Sequence, residues 1–192
     1  MDNRFEKDVY IIRKKIFKLL GAAFHVYDES GNVVFYSKQK AFKLKEDIRL
    51  YESEQMSEEL LLIKARQVID FSAAYDVIDV KTNEKVGALK RKGFKSLLKD
   101  EWIIMDVNDR EIGKISEDNL LLALIRRFLS NLVPQTYDVE IEGTKVAKYR
   151  QNFNPFVLKI TVDFSLDKDK KLDKRLGIAA GILLTAIEGR QN

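Results

Sequence analysis

Leu176-Gly-Ile-Ala-Ala-Gly-Ile-Leu-Leu-Thr-Ala-Ile187 carries no charge and lies almost at the C-terminus of a 192-residue chain. As a helix it spans about 18 Å, well short of the roughly 30 Å hydrocarbon core of a bilayer. A helix that is apolar on every side still has to be buried. The rest of the chain reads as short strands. The expected architecture is therefore mainly β: a closed antiparallel barrel around a central, buried C-terminal helix, with one further helix. Asp173-Lys-Arg175 opens the terminal helix, and Gly189 is placed to cap its end. Gly177, Gly181 and Thr185 recur every four residues and line one narrow face, where small side chains let strands approach closely. The rival reading is a tail anchor that dimerises through Gly-x-x-x-Gly, but an anchor needs about twenty apolar residues.

Strand signals recur through the rest of the chain. Residues 24–36 alternate, break at Asp28 to Asn32 and resume, the pattern of a hairpin with turn chemistry at its tip. Residues 75–89, 102–115 and 137–149 repeat the form, the last with the tight turn Glu142-Gly143. In three of the hairpins an aromatic residue precedes an aspartate by four positions: Phe24 and Asp28, Tyr75 and Asp79, Trp102 and Asp106. The expected geometry points the aromatic inward and lets the aspartate bond backbone N–H groups of the turn. The alternative is a repeated ligand site. Basic strands lead into the first three hairpins, at residues 10–20, 61–68 and 88–98. Their uneven spacing excludes a solenoid array, and residues 5–189 are expected to form a single domain.

Residues 116–130 break the strand pattern. Ser116 reads as an N-cap with acids in the first turn, and Leu121, Leu124, Ile125 and Phe128 share one side at helical spacing. A helix over residues 117–131 is expected to plug one end of the barrel. The rival is an amphipathic membrane helix with Arg126 and Arg127 at its polar edge.

Lys and Arg number 34 against 30 Asp and Glu, a formal net charge of +4. That permits an anionic partner without demanding one. Acids interspersed along most strands argue against a nucleic-acid partner. The chain has no cysteine, which excludes a disulfide scaffold, thiolate metal sites and cysteine catalysis, and agrees with a reducing compartment. The N-terminal Met-Asp-Asn-Arg-Phe-Glu-Lys-Asp is charged and lacks an apolar export core. The expected location is cytoplasmic, with peripheral membrane association and no transmembrane span.

No Gly-rich phosphate loop or dinucleotide fingerprint occurs. His25, the only histidine, alternates within a strand and reads as a plain strand residue. No catalytic residue, metal site or cofactor is assigned, and an enzyme is not expected. The candidate binding surface is the run from Lys90 to Lys99. Lys90, Arg91, Lys92, Lys95 and Lys99 surround Phe94, Leu97 and Leu98. Cations beside apolar groups suit an anionic leaflet, at about 1 kcal/mol per near charge. Strand alternation, however, sends Arg91 to the side opposite Lys90 and Lys92, which would divide the cluster.

Taken in order, six segments resemble the tubby C-terminal-like superfamily, nearest to the LURP-one-related proteins and the phospholipid scramblases. They are Tyr10-Ile-Ile-Arg-Lys-Lys15, Val26-Tyr-Asp-Glu-Ser-Gly-Asn-Val-Val34, Gly87-Ala-Leu-Lys-Arg-Lys92, Trp102-Ile-Ile-Met-Asp106, Ile112-Gly-Lys-Ile115 and Asp173-Lys-Arg175 before the apolar helix. The resemblance implies a twelve-stranded antiparallel barrel wrapped around a central C-terminal helix. Tubby domains bind phosphoinositide headgroups, but their basic lipid-binding residues find no match here. Scramblases carry acylated cysteines, a proline-rich N-terminal tail and a calcium-binding acidic segment before the last helix, and this sequence shows neither of the first two. In place of the third stands Asp163–Asp173. Asp167, Asp169 and Asp173 offer oxygen ligands there, while Lys168, Lys170, Lys171 and Lys174 oppose a divalent cation. The expected function is a non-enzymatic binding module that recognises anionic phospholipid headgroups at a membrane surface. The alternatives are a structural protein with a protein partner along its sheet or helix 117–131, and a phospholipid scramblase.

Overall fold

The computed structural model describes residues 2–17, 21–39, 47–66, 73–92, 101–117, 135–152 and 157–187. Their strands are β1 (Val9–Phe17), β2 (Gly21–Tyr27), β3 (Val33–Gln39), β4 (Ile48–Tyr51), β5 (Glu59–Ala65), β6 (Ala74–Asp79), β7 (Glu84–Arg91), β8 (Glu101–Met105), β9 (Glu111–Glu117), β10 (Thr136–Ile141), β11 (Thr144–Asn152) and β12 (Leu158–Asp163). Helix α1 (Lys174–Ile187) follows. Each strand pairs antiparallel with the next, and β1 pairs with β12, so the sheet closes into a barrel. Closure removes the unpaired edges of an open sheet. The period-two alternation of a strand sorts side chains between lumen and outer surface. On β1, Tyr10, Ile12 and Lys14 face inward and are buried, while Ile11, Arg13 and Lys15 face outward.

The charge-free stretch is the core. Residues 176–186 of α1 are all buried, packed against inward side chains of the strands. The small-residue face lies along β1 and β12. A Cβ at Gly181 would stand 2.6 Å from Ile12 Cδ1 and 2.9 Å from Val162 Cγ2, and one at Gly177 would collide with the Phe164 ring. Tyr149 Oη donates to the Gly177 carbonyl at 2.8 Å.

Both ends of α1 are tied to the barrel. Asp173 accepts from Arg175 N at 2.9 Å, capping the first turn. The Arg175 guanidinium pairs with Asp173 and with Asp79 of β6, each at 2.6 Å. Lys174 Nζ reaches the Glu6 and Lys7 carbonyls and the Asp8 carboxylate. Cations at a helix N-terminus oppose its dipole; the three carboxylates beside them offset that. At the far end the buried Lys14 donates to the carbonyls of Thr185 (3.3 Å) and Ala186 (3.4 Å). These carbonyls have no intrahelical partner among the described residues, and the cation sits at the negative end of the dipole. Gly189, the expected cap, lies outside the described residues.

The hairpins form as their spacing predicts. Phe24, Tyr75 and Trp102 are inward and at most 2% exposed. Asp28 accepts from Asn32 N at 2.9 Å, Asp79 from Lys81 N at 3.0 Å, and Asp106 from Asn108 N at 2.8 Å. The repeated aromatic–aspartate pair thus serves the fold: one residue fills the core and the other closes the turn. Glu142 and Gly143 both take positive φ, 49° and 75°, the type I′ geometry that matches strand twist.

One boundary departs from expectation. Ser116 is not an N-cap. It continues β9 and pairs with both Glu101 and Asp138, because ladders on two sides satisfy its backbone groups more fully than one helical turn would. The rest of the expected helix, residues 118–131, lies outside the described residues. Among the described residues no helix is long and apolar enough to cross a membrane.

Candidate functional site

The run from Lys90 to Lys99 starts on β7. Lys90 faces outward and is exposed. Arg91 stands opposite Trp102 in the ladder, on the inner side, and is half-buried. Lys92 is exposed, and its ammonium pairs with the Glu101 carboxylate, which raises its pKa. Lys95 and Lys99, with Phe94, Leu97 and Leu98, lie outside the described residues. Alternation therefore separates Arg91 from Lys90 and Lys92.

A different set of cations is gathered by barrel closure. The ladder places Arg13 beside Lys159 of β12 on one side and His25 of β2 on the other. Lys15 is followed across the sheet by Ala23 and then Lys38 of β3. On β11, Arg150 stands opposite Thr161, and Asn152 opposite Lys159. All of these side chains point outward. Lys15, Lys38 and Arg150 are exposed, and Arg13 and Lys159 are half-buried. No outward strand position from Tyr36 and Lys38 across to Arg150 and Asn152 is a carboxylate, although Glu54 of the loop after β4 reaches this area at His25.

None of these five cations has an ion-pair partner among the described residues. Elsewhere on the barrel pairing is the rule. Arg66 and Lys85 share Asp76 and Asp109, Arg49 pairs with Glu59, Lys114 with Glu140 and Lys145 with Asp138. A paired cation contributes little net field, whereas five unpaired ones on adjoining strands sum to a positive face.

His25 sits within this face and is 4% exposed. Its ring stacks on Tyr27 (centroids 6.2 Å apart) and meets Tyr36 edge-on at 5.1 Å. Its Nε2 lies 2.8 Å from Glu54 Oε1. Burial first, and the Glu54 charge second, raise the Tyr36 phenol pKa. His25 is thus a strand residue, as its alternation predicts, but one with a carboxylate on its outer nitrogen.

The acidic segment before α1 is committed to backbone. Asp167 accepts from Lys171 N and Leu172 N, each at 2.9 Å. Asp163 accepts from Ser165 N at 2.8 Å, and Asp173 caps α1. Among the described residues no three acidic or histidine side chains converge on one point.

The positive face was not read from the sequence. Arg13 and Lys15 show there as alternate members of a basic strand, yet their neighbours Lys159 and Arg150 come from the other end of the chain. The family model described as LURP-one-related matches residues 9–185. The chain therefore belongs to the LURP-one-related family. No curated protein and no solved structure matches it.

Proposed function

We propose that this LURP-one-related protein is a non-enzymatic binding module whose basic outer face recognises anionic phospholipid headgroups at a membrane surface. The observation that carries the reading is the set Arg13, Lys15, Lys38, Arg150 and Lys159, unpaired among the described residues on β11, β12, β1 and β3, four of the five adjoining strands from β11 to β3. At the usual strand spacing five strands cover about 19 Å, a breadth that suits a leaflet of many headgroups. Near an anionic leaflet each such charge contributes about 1 kcal/mol. Lys90, across the barrel on β7, begins the 90–99 run, which is offered as a second and smaller contact.

Co-sedimentation with vesicles tests this. Binding is expected to vesicles that combine phosphatidylcholine with phosphatidylserine, not to phosphatidylcholine alone, and to fall as salt rises. Exchanging the exposed pair Lys15→Gln and Lys38→Gln removes about 2 kcal/mol, a weakening of about 30-fold. Absence of co-sedimentation at low salt refutes the reading.

A further inference from the structure

We infer that the Glu54 carboxylate marks an anion subsite in the basic face, and that a phosphate group takes its place on His25 Nε2. The inference rests on the reading of the basic face above and assigns its centre.

The imidazole is fixed before any ligand arrives. Tyr27 and Tyr36 clamp the ring, and 4% exposure leaves it little freedom. Its ladder neighbours are Arg13 and Tyr36, with Lys159 beyond Arg13 and the Lys15–Lys38 row alongside. Arg13 Nε is buried and has no hydrogen-bond partner. The ladder therefore flanks His25 with Arg13 on one side and Tyr36 on the other, with further cations on the neighbouring rows, and the structure has already put an anion on its Nε2.

That anion is weakly held. The Glu54 side chain is 63% exposed, so solvent competes for its carboxylate although its His25 partner is buried. The loop that carries it does not depend on it. Glu52 organises that loop, accepting from Ser53 Oγ (2.9 Å), Ser57 Oγ (2.5 Å) and Glu58 N (2.8 Å). Glu54 can swing away while the loop keeps its shape. Carboxylate and phosphate oxygens use the same N–H donors, but phosphate brings more charge to the surrounding cations. Glu54 thus screens the face until a stronger anion displaces it.

Because His25 is the only histidine, its imidazole proton signals report on this site alone. The experiment compares the full chain with Glu54→Gln, and with Glu84→Gln as a control. Glu84 is exposed on β7, on the opposite side of the barrel. Inorganic phosphate is titrated while the His25 signals are followed, and phosphatidylserine vesicles are titrated by co-sedimentation. Glu54→Gln is expected to lower both midpoints at least threefold, and Glu84→Gln to leave both unchanged. His25 signals that stay still in Glu54→Gln, or equal gains in the two variants, overturn the subsite. Vesicle binding with still His25 signals leaves the basic-face reading intact and removes only this inference. A His25 response to phosphate without vesicle binding supports the subsite, identifies soluble phosphate as its source, and removes the membrane reading.

Discussion

Replacing Gly181 with alanine tests whether α1 lies against the seam where β1 meets β12. On an open helix this change stabilises by about 1 kcal/mol, since glycine is the poorer helix former. Here the added methyl would lie 2.6 Å from Ile12 Cδ1 and 2.9 Å from Val162 Cγ2, where carbon atoms normally settle at about 3.5–4.0 Å. Ile12 and Val162 are both fully buried, in a core packed too tightly to give way freely. Overpacking of this kind costs roughly 1–3 kcal/mol. Set against the gain in helix propensity, the net loss is about 0–2 kcal/mol, or up to about 8 °C in Tm for a chain of this size. A double-mutant cycle sharpens the test. Ile12→Val deletes the Cδ1 in question and alone costs about 0.5–1.5 kcal/mol. In the double variant the new methyl fills the vacated space, so a favourable coupling of at least about 1 kcal/mol is expected. Urea unfolding at constant m-value measures all four species. Additive effects, or a Gly181→Ala variant more stable than the parent, would refute the placement of α1 on β1.

Two further outcomes follow from the turns. Glu142→Asn puts the residue favoured at positive φ ahead of Gly143, at the cost of a 4.0 Å ion pair with Lys171; it is expected to stabilise by roughly 0.5 kcal/mol, and an unchanged or lower Tm by calorimetry would contradict the type I′ assignment. The Ser57 hydroxyl, with further donors from Glu58 N and Ser53, holds the Glu52 carboxyl down at about 2, from an ordinary 4.5. A depressed folded pKa stabilises above the unfolded value, and that contribution drains away as pH falls from about 4.5 toward 2. Glu52→Gln should therefore differ most from the parent at neutral pH and converge with it toward pH 2; parallel stability curves across that window count against the loop geometry.

Much of the fold is legible locally. A hairpin needs only alternation, an aspartate to gather turn amides and a residue tolerant of positive φ, and all of these lie within about fifteen residues in the sequence. The terminal helix is legible because a stretch with no charge has one physical destination in water. The helix expected to begin at Ser116 shows the limit. Capping chemistry is present there, but pairing with Glu101 and Asp138 supplies stronger backbone partners, and those partners are not local.

The basic face shows the same limit more sharply. Arg13, Lys14 and Lys15 read as one cluster, yet the pleat turns Lys14 inward to the last carbonyls of α1 and leaves the other two outside. Lys90, Arg91 and Lys92 look equally continuous and are divided by the same rule. The residues themselves determined the strands, their turns, the buried helix and which side of a strand each charge takes. Closure alone decided which charges become neighbours, setting Arg13 beside Lys159 across the β1–β12 seam. That pairing joins opposite ends of the chain, and its register depends on every strand between them, so no local propensity encodes it.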